Sequence, residues 1–255
     1  MTDNGRTIDI VVPAHNEAEL IGTTLREFHQ RVAAQDGHHI RFIVCEDGST
    51  DGTVALLQEL RRELPIELIS SAERKGYSRA VLDGLAACTA DYVGFLDSDG
   101  QCDPADFSAL FRQLRDADIV VGWRTPRADH WSRRLMSAAF GLVYRVMFPV
   151  RLHDPSCPYL VLRRRRLDRV LQGTPGLLTQ GFWWEFFARA QAANLRIIEI
   201  PIHHRRRAAG TTRVYHAAQI PRIAWQHLLA LRALRQQLRG LHREAGGTSQ
   251  RGATG

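Results

Sequence analysis

The feature that most limits the folds open to this chain is an alternation, across its first 122 residues, of short apolar runs with segments of helical length. The runs Ile8–Val12, Ile40–Cys45, Ile66–Ile69, Tyr92–Leu96 and Ile119–Val121 are separated by Glu17–Ala34, Thr53–Glu63, Tyr77–Ala87 and Pro104–Arg115. Continuous apolar strands are buried on both faces, and helices between them serve as crossovers, so the pattern predicts a mostly parallel sheet covered by helices. Ligands of such sheets gather beyond the carboxyl ends of the strands.

Polar clusters sit at those ends. Strand one leads into Pro13-Ala14-His15-Asn16-Glu17, strand two into Glu46-Asp47-Gly48-Ser49-Thr50-Asp51, and strand four into Asp97-Ser98-Asp99-Gly100-Gln101. Three acidic loops should therefore converge on one edge. In the third, two carboxylates and an amide oxygen suit a hard divalent cation, whose remaining ligands are often substrate phosphates; a metal-bridged nucleoside diphosphate is the first ligand to consider. Asp-x-Asp is also a common turn pattern, so the rest of the chain must decide. Neither G-x-G-x-x-G after a strand nor G-x-x-x-x-G-K-[ST] occurs, which argues against a dinucleotide dehydrogenase or a P-loop NTPase.

A chain of 255 residues, 44% apolar and 24% charged, suits one large α/β domain with appendages. Cys45, Cys88, Cys102 and Cys157 form no C-x-x-C pair, which speaks against a zinc ribbon or a disulfide framework and fits a reducing compartment. No leader pattern opens the chain, and the weakly charged stretch Leu135–Val150 is interrupted by Arg145, so an integral membrane protein is not expected. The net charge of +7 is carried by arginine, Lys75 being the only lysine. Arginine favours bidentate anion recognition, which would serve nucleic acid, lipid headgroups or a phosphorylated substrate; codon bias would produce the same excess without function.

Beyond residue 122 the texture changes to an amphipathic stretch at Trp131–Phe148, a strand at Tyr159–Arg163, an aromatic helix at Phe182–Ala193 and a strand at Leu195–Ile200. The basic loop His203–Arg207 leads to a final amphipathic helix and a Gly/Ser/Thr tail. The expected division is a catalytic domain over 1–215, with a nucleotide-binding half 1–122 and an acceptor half 123–215, then a basic helix over 216–243 and a disordered tail over 244–255.

The strand-end motifs Val11–Glu17, Glu46–Thr53 and Asp97–Gln101, followed by Asp154-Pro155-Ser156, Ile198-Glu199-Ile200-Pro201 and Arg207–Arg213, resemble the family 2 glycosyltransferases of GT-A fold. The likeness covers about residues 8–215 and is greatest for the polyprenyl-phosphate mannose or glucose synthase branch. It implies an α/β fold with a Rossmann-like, mostly parallel sheet flanked by helices. It also implies an inverting, metal-dependent transfer of a sugar from a GDP- or UDP-sugar to a polyprenyl phosphate. The alternative is the same donor chemistry onto a hydroxyl of a soluble acceptor. By this resemblance Pro13, Glu17 and Asp47 contact base and ribose. Asp99 is the first metal ligand, Asp97 reaches ribose or metal, and Gln101 adds an oxygen, with Mg²⁺ or Mn²⁺ as the ion. Arg124, Arg134 and Arg213 fall where the branch places phosphate-binding arginines. Asn16 and Asp51 read more naturally as helix caps.

One departure bears on the acceptor. Where the family often has Asp-x-x-Ser-Gly-Phe, this chain has Asp154 followed by Ser156-Cys157-Pro158-Tyr159. A phosphate acceptor is already a nucleophile, whereas a hydroxyl needs a carboxylate base, for which Asp154 and Glu185 are the candidates. The Trp183-Trp184 pair reads as core more than as a stacking platform, and His38, His39, His203 and His204 read as surface or loop histidines. The runs Arg163–Arg166 and Arg205–Arg207 read as solvated faces. In the final helix, Ile220, Ala224, Leu228, Leu231, Leu234, Leu238 and Leu241 alternate with Arg222, Arg232, Arg235, Arg239 and Arg243, which suits either the headgroup plane of a membrane or packing, including a homodimer. The expected partners are a nucleotide sugar and its acceptor, with no nucleic acid, in the cytoplasm or on its membrane face.

Overall fold

A computed structural model describes residues 5–125, 140–172, 181–205 and 220–250, with the side chains of the last segment described over 225–240. The chain runs β1 (Thr7–Ala14), α1 (Ile21–His29), β2 (His39–Asp47), α2 (Thr53–Leu60), β3 (Ile66–Ser71), α3 (Tyr77–Ala87), β4 (Tyr92–Phe95), α4 (Pro104–Gln113) and β5 (Ile119–Arg124). A helix described over residues 140–147 (α5) follows, then β6 (Leu160–Arg163), α6 (Leu167–Leu171), α7 (Phe182–Ala192), β7 (Ile197–Ile202) and α8 (Ile220–Gln250).

The strands form one seven-stranded sheet in the order β3-β2-β1-β4-β6-β5-β7. β6 runs antiparallel to both β4 and β5, while every other pairing is parallel. The expected mostly parallel sheet is present, and its strand order reverses beside β1, from which the chain moves first toward β3 and then to β4 on the other side. That reversal opens a crevice at the carboxyl ends, where all three acidic loops emerge. Because β6 is inverted, its amino end lies at the same edge: Leu160 pairs with Phe95 and with Val121. The Asp154 loop is thereby delivered beside the end of β5.

The sheet is apolar along its length, with Ile10, Val11, Ile43 and Val44 fully buried. Phe28 meets Phe42 and Phe107 edge to face, at centroid distances of 6.0 and 5.0 Å, closing α1 and α4 over the same side. α3 lies so close to β1 and β2 that a Cβ on Gly84 would stand 2.6 Å from Cys45 Sγ and 2.7 Å from Val11 Cγ1. At the far edge from the acidic loops, Asp9 is fully buried on β1 opposite Arg41 of β2. Arg41 grips it through Nε and Nη2 at 2.8 and 2.9 Å, and Thr89 and Ala90 donate their backbone N–H groups at 2.6 and 2.8 Å.

Several boundaries differ from the sequence reading. The helix expected from Glu17 begins at Ile21, because the Glu17 carbonyl first closes a turn onto the N–H groups of Leu20 and Ile21; a π-helical stretch, Gln30–Gln35, then carries the chain on. α8 runs to Gln250, past the expected helix end at 243 and into the segment expected to be a disordered tail; with no proline there, nothing interrupts the backbone ladder. His38, expected at the surface or in a loop, lies in the loop before β2 and is buried against Phe111, ring centroids 4.6 Å apart.

Candidate active site

The first two loops are laced together. Asn16 adopts a left-handed φ of 55°, and its Oδ1 accepts the Thr50 N–H at 2.8 Å while its own N–H donates to Ser49 Oγ at 2.9 Å. Glu17 N–H donates to Thr53 Oγ1 at 2.9 Å, and Ala18 N–H to Asp51 Oδ2 at 3.2 Å. Asp51 Oδ1 accepts both the N–H and the hydroxyl of Thr53, at 2.9 and 2.5 Å. Neither residue is the expected N-cap: that of α2 is Gly52, with Asp51 accepting the Thr53 N–H from one position earlier, and that of α1 is Leu20, Asn16 holding the neighbouring loop instead.

Within the second loop, Glu46 and Asp47 are both buried. Glu46 accepts the Ser49 N–H at 2.5 Å and the Ser70 hydroxyl at 2.6 Å. Asp47 accepts the N–H groups of Lys75 and Gly76 at 2.6 and 2.8 Å, and its carbonyl takes a hydrogen bond from His15 Nδ1 at 2.7 Å. Asp47 therefore fixes the entry to α3 as well as lying at the strand end where a nucleoside is expected. The turn needs Gly48: its φ is +64°, and a Cβ there would come within 2.7 Å of the Arg74 backbone nitrogen. Pro13 is buried in β1 beside Cys45 of β2, one step below the same edge.

The third loop follows β4. Ser98 is buried, while Asp97 and Asp99 on either side of it are partly exposed. Asp99 Oδ1 accepts the Gln101 N–H at 3.1 Å. Gln101 Nε2 donates to the Arg205 carbonyl at 3.0 Å, and Arg205 N–H returns a bond to the Gln101 carbonyl at 2.8 Å. Arg205 then forks to Glu27 at 2.7 Å and Asp103 at 2.9 Å, so one member of the basic run expected to be a solvated face is an anchor for the Asp-x-Asp loop. Glu27 lies 178 residues away in sequence, which leaves no local signal for the pair.

Within electrostatic reach of Asp97 lies a half-buried guanidinium. Arg124, at the end of β5, donates to Asp154 through Nε at 2.6 Å and Nη2 at 2.9 Å, and to Ser156 Oγ at 2.7 Å. Side-chain exposure is 14% for Arg124 and 2% for Asp154. Ser156 Oγ donates to Asp154 Oδ1 at 2.8 Å, and Glu199 of β7 accepts the Asp154 N–H at 2.8 Å. Burial works against the charged guanidinium, but the Asp154 bonds and the neighbouring Asp97 carboxylate outweigh it and hold Arg124 above its ordinary range. Burial first, and then the Asp97 charge, also raise the hydroxyl of Tyr77, at the start of α3; that hydroxyl accepts Trp183 Nε1 at 2.9 Å. Asp97 is thus within electrostatic reach of both Arg124 and Tyr77. Trp183 packs edge-on against Phe95 at 4.7 Å and belongs to the core.

The second base candidate is placed differently. Glu185 on α7 is buried and paired with Arg189 one turn on, Nε to Oε1 2.7 Å. Arg189 continues to the Gln172 carbonyl at 3.1 Å and to Gln237 Oε1 of α8 at 2.9 Å. The spacing of four on a helix already pointed to this ion pair. Arg134 and Arg213 lie outside the described residues. The cysteines are buried, and burial keeps their thiols protonated: Cys45, Cys88 and Cys157 are pushed up to about 12, and Cys102 is raised as well. They are neither nucleophiles nor ready metal ligands.

Among the described residues no three His, Cys, Asp or Glu side chains stand together as a complete metal site. Asp97 and Asp99 nevertheless fit Mg²⁺ or Mn²⁺: hard oxygen donors from one loop, partly exposed, leave most of the coordination sphere to a ligand's phosphates and water.

The family model described as glycosyl transferase family 2 matches residues 9–184. An uncharacterized glycosyltransferase of Mycobacterium tuberculosis is 29% identical over 216 residues, 82% of this chain and 90% of that protein. Dodecaprenyl-phosphate galacturonate synthase of Rhizobium johnstonii is 28% identical over 171 residues, 64% of this chain and 49% of that protein. Among solved structures, mannosyl-3-phosphoglycerate synthase from Rubrobacter xylanophilus superposes with a TM-score of 0.67 at 18% identity, covering 92% of this chain and 75% of the other. Glucosyl-3-phosphoglycerate synthase from Mycobacterium tuberculosis, in complex with Mn²⁺, UDP and glucosyl-3-phosphoglycerate, gives 0.62 at 22% identity, covering 90% and 80%. At such identities the structural likeness speaks for the fold.

Proposed function

The chain belongs to glycosyl transferase family 2 and is a glycosyltransferase, and from that premise we propose that it transfers a sugar, with inversion, from a nucleoside diphosphate sugar to a polyprenyl phosphate. The observation that carries the acceptor choice is the state of the two candidate bases. Both oxygens of Asp154 are taken by Arg124, and Glu185 is buried against Arg189. A hydroxyl acceptor must surrender a proton to a base within hydrogen-bond reach, whereas a phosphate monoester arrives as an anion. The relative named as a dodecaprenyl-phosphate synthase supports the same class of acceptor.

In this reading Pro13, Glu17 and Asp47 receive the nucleoside, and Asp97 and Asp99 hold the cation and the donor diphosphate, with Gln101 contributing its amide oxygen. Mg²⁺ or Mn²⁺ bound there would supply Lewis-acid neutralisation of the charge that builds on the departing diphosphate. The protein's own part is positional. Asp154, Ser156 and Glu199 fix Arg124 so that its charge stands next to Asp97 without reorganising as the reaction proceeds, and such preorganised charge favours the transition state over the ground state. Arg134 and Arg213 are further phosphate contacts by family resemblance.

A second reading, transfer to a hydroxyl of a small phosphorylated acceptor, has one specific observation in its favour: the altered Ser156-Cys157-Pro158 loop after Asp154. It requires Asp154 to leave Arg124 during the reaction. A panel of radiolabelled nucleotide sugars with Mn²⁺, offered polyprenyl phosphate and a cell extract, separates the two. Acid-labile label in organic solvent is the expected result; label found only in water-soluble product would refute the lipid acceptor.

A further inference from the structure

α8 is fixed to the body by one face and leaves another in solvent. Leu231, Leu234 and Leu238 are buried, and Gln237 is tied to Arg189. At 3.6 residues per turn, Trp225, Leu228, Leu229, Arg232 and Arg239 share the side turned away from those leucines. That outward side is apolar over its first two turns, with Trp225 63% and Leu229 51% exposed, and basic beyond them. α5 repeats the arrangement: Tyr144 is buried, while Leu142 and Val146 are 60% and 72% exposed and Arg145 stands exposed between them. The two helices meet where Phe140 lies 5.6 Å from the ring of His227.

Large apolar side chains left together in water mark a contact surface, and their charge setting indicates with what. From 140 to 151 and from 225 to 240 the sequence contains no Asp or Glu, while Arg145, Arg151, Arg232, Arg235 and Arg239 all fall within those spans. A second copy of the chain would bring like charges face to face, which costs free energy. An anionic bilayer offers phosphates to the arginines and an acyl boundary to the tryptophan and leucines. No helix among the described residues is long and apolar enough to cross a membrane. We infer that α5 and residues 225–240 of α8 form a face that docks on anionic lipid, with the apolar turns in the headgroup layer and Arg232 and Arg239 on its phosphates. This inference rests on the face itself and stands whichever acceptor is used.

The test uses full-length protein and sedimentation with vesicles of phosphatidylcholine, with and without phosphatidylglycerol. Binding to the anionic vesicles, weakened by salt, is expected. Arg232→Gln with Arg239→Gln should lower affinity about fivefold per charge. Trp225→Ser with Leu229→Ser should lower it by about tenfold or more, and Val146→Ser on α5 should act in the same direction. Because all these positions are exposed, melting temperature and UDP–Mn²⁺ binding should match the parent, which keeps this result separate from the fate of the sugar-transfer reading. Failure of the parent to bind anionic vesicles, undiminished binding by the variants, or a dimer in solution that the same substitutions dissociate would each overturn the inference.

Discussion

Asp154→Ala separates a positioning role for this carboxylate from a role as base. Removing it leaves the Arg124 guanidinium half-buried, with a side-chain exposure of 14% and with Ser156 Oγ still in reach at 2.7 Å. Breaking one side of a buried ion pair costs about 3–5 kcal/mol, and the surviving serine contact places this case toward the lower end. Asp154→Asn keeps the shape and one acceptor oxygen but loses the charge, for about 1.5–3 kcal/mol, the worth of a hydrogen bond to a charged group. Replacing both partners, Arg124→Met with Asp154→Leu, removes the stranded charge and should recover most of the loss. Urea unfolding supplies the readout, as a shift in midpoint at unchanged slope. A positioning residue predicts that Asp154→Asn lowers kcat/KM while the pH profile keeps its shape; a general base predicts intact stability and loss of the acidic limb of kcat. If Asp154→Ala unfolds at the parent's urea concentration, or if the double variant loses the full sum of the single losses, the account of Arg124 as a guanidinium held by Asp154 is refuted.

Asp99→Ala should weaken binding of UDP or GDP in the presence of Mn²⁺ by tenfold or more, about the loss of one charged ligand, and leave binding without metal unchanged; calorimetric titration with and without Mn²⁺ checks it. Burial alone would raise the Asp9 carboxyl, but Arg41 and the N–H groups of Ala90 and Thr89 outweigh it and depress it. A depressed carboxylate contributes stability that is full above its unfolded value, about 4, and is lost as pH falls through the lower folded value. Melting temperature should therefore fall with pH below about 4, and Asp9→Asn should flatten that part of the profile. Thr53 is fully buried and serves Glu17 N–H as acceptor and Asp51 as donor. Thr53→Val keeps its shape, strands both partners at about 1–3 kcal/mol each at most, and should weaken donor binding without touching the ligand; unchanged donor affinity would remove the lacing of the first two loops from the argument.

What could be read in the sequence was what local pattern carries. Runs such as Ile8–Val12 and Ile40–Cys45 are strands because each is apolar but for one charged residue, Asp9 and Arg41, which pair with each other across β1 and β2, and the loops after them are acidic in the sequence itself, so their convergence follows from a parallel sheet alone. The inverted β6 does not follow, since the same run Leu160–Arg163 would suit either direction and its pairing is set by partners some 40 and 70 residues away, a long-range choice. The phosphate role expected of Arg124 came from family resemblance; its pairing with Asp154, 30 residues on with no periodic relation to it, left no local signal. Glu185 was expected as a candidate base, although Arg189 at the fourth position along marked a helical ion pair.

The acidic edge is rigid for reasons that lie mostly outside the carboxylates proposed to touch ligand. Asn16, Ser49, Asp51 and Thr53 join the first loop to the second; Asp47 joins the second to α3; Gln101 and Arg205 join the third to α1 and α4 through Glu27 and Asp103. Each bond satisfies a loop N–H or carboxylate that a ligand would otherwise have to order on arrival, and ordering costs affinity. Asp97 and Asp99 lie partly exposed, Asp97 within electrostatic reach of Arg124, whose own charge is already paired by Asp154. A guanidinium already neutralised by Asp154 can stand next to the cation loop without competing for it. In the proposed site Asp97 and Asp99 would meet metal and diphosphate on loops already tied in place by their neighbours.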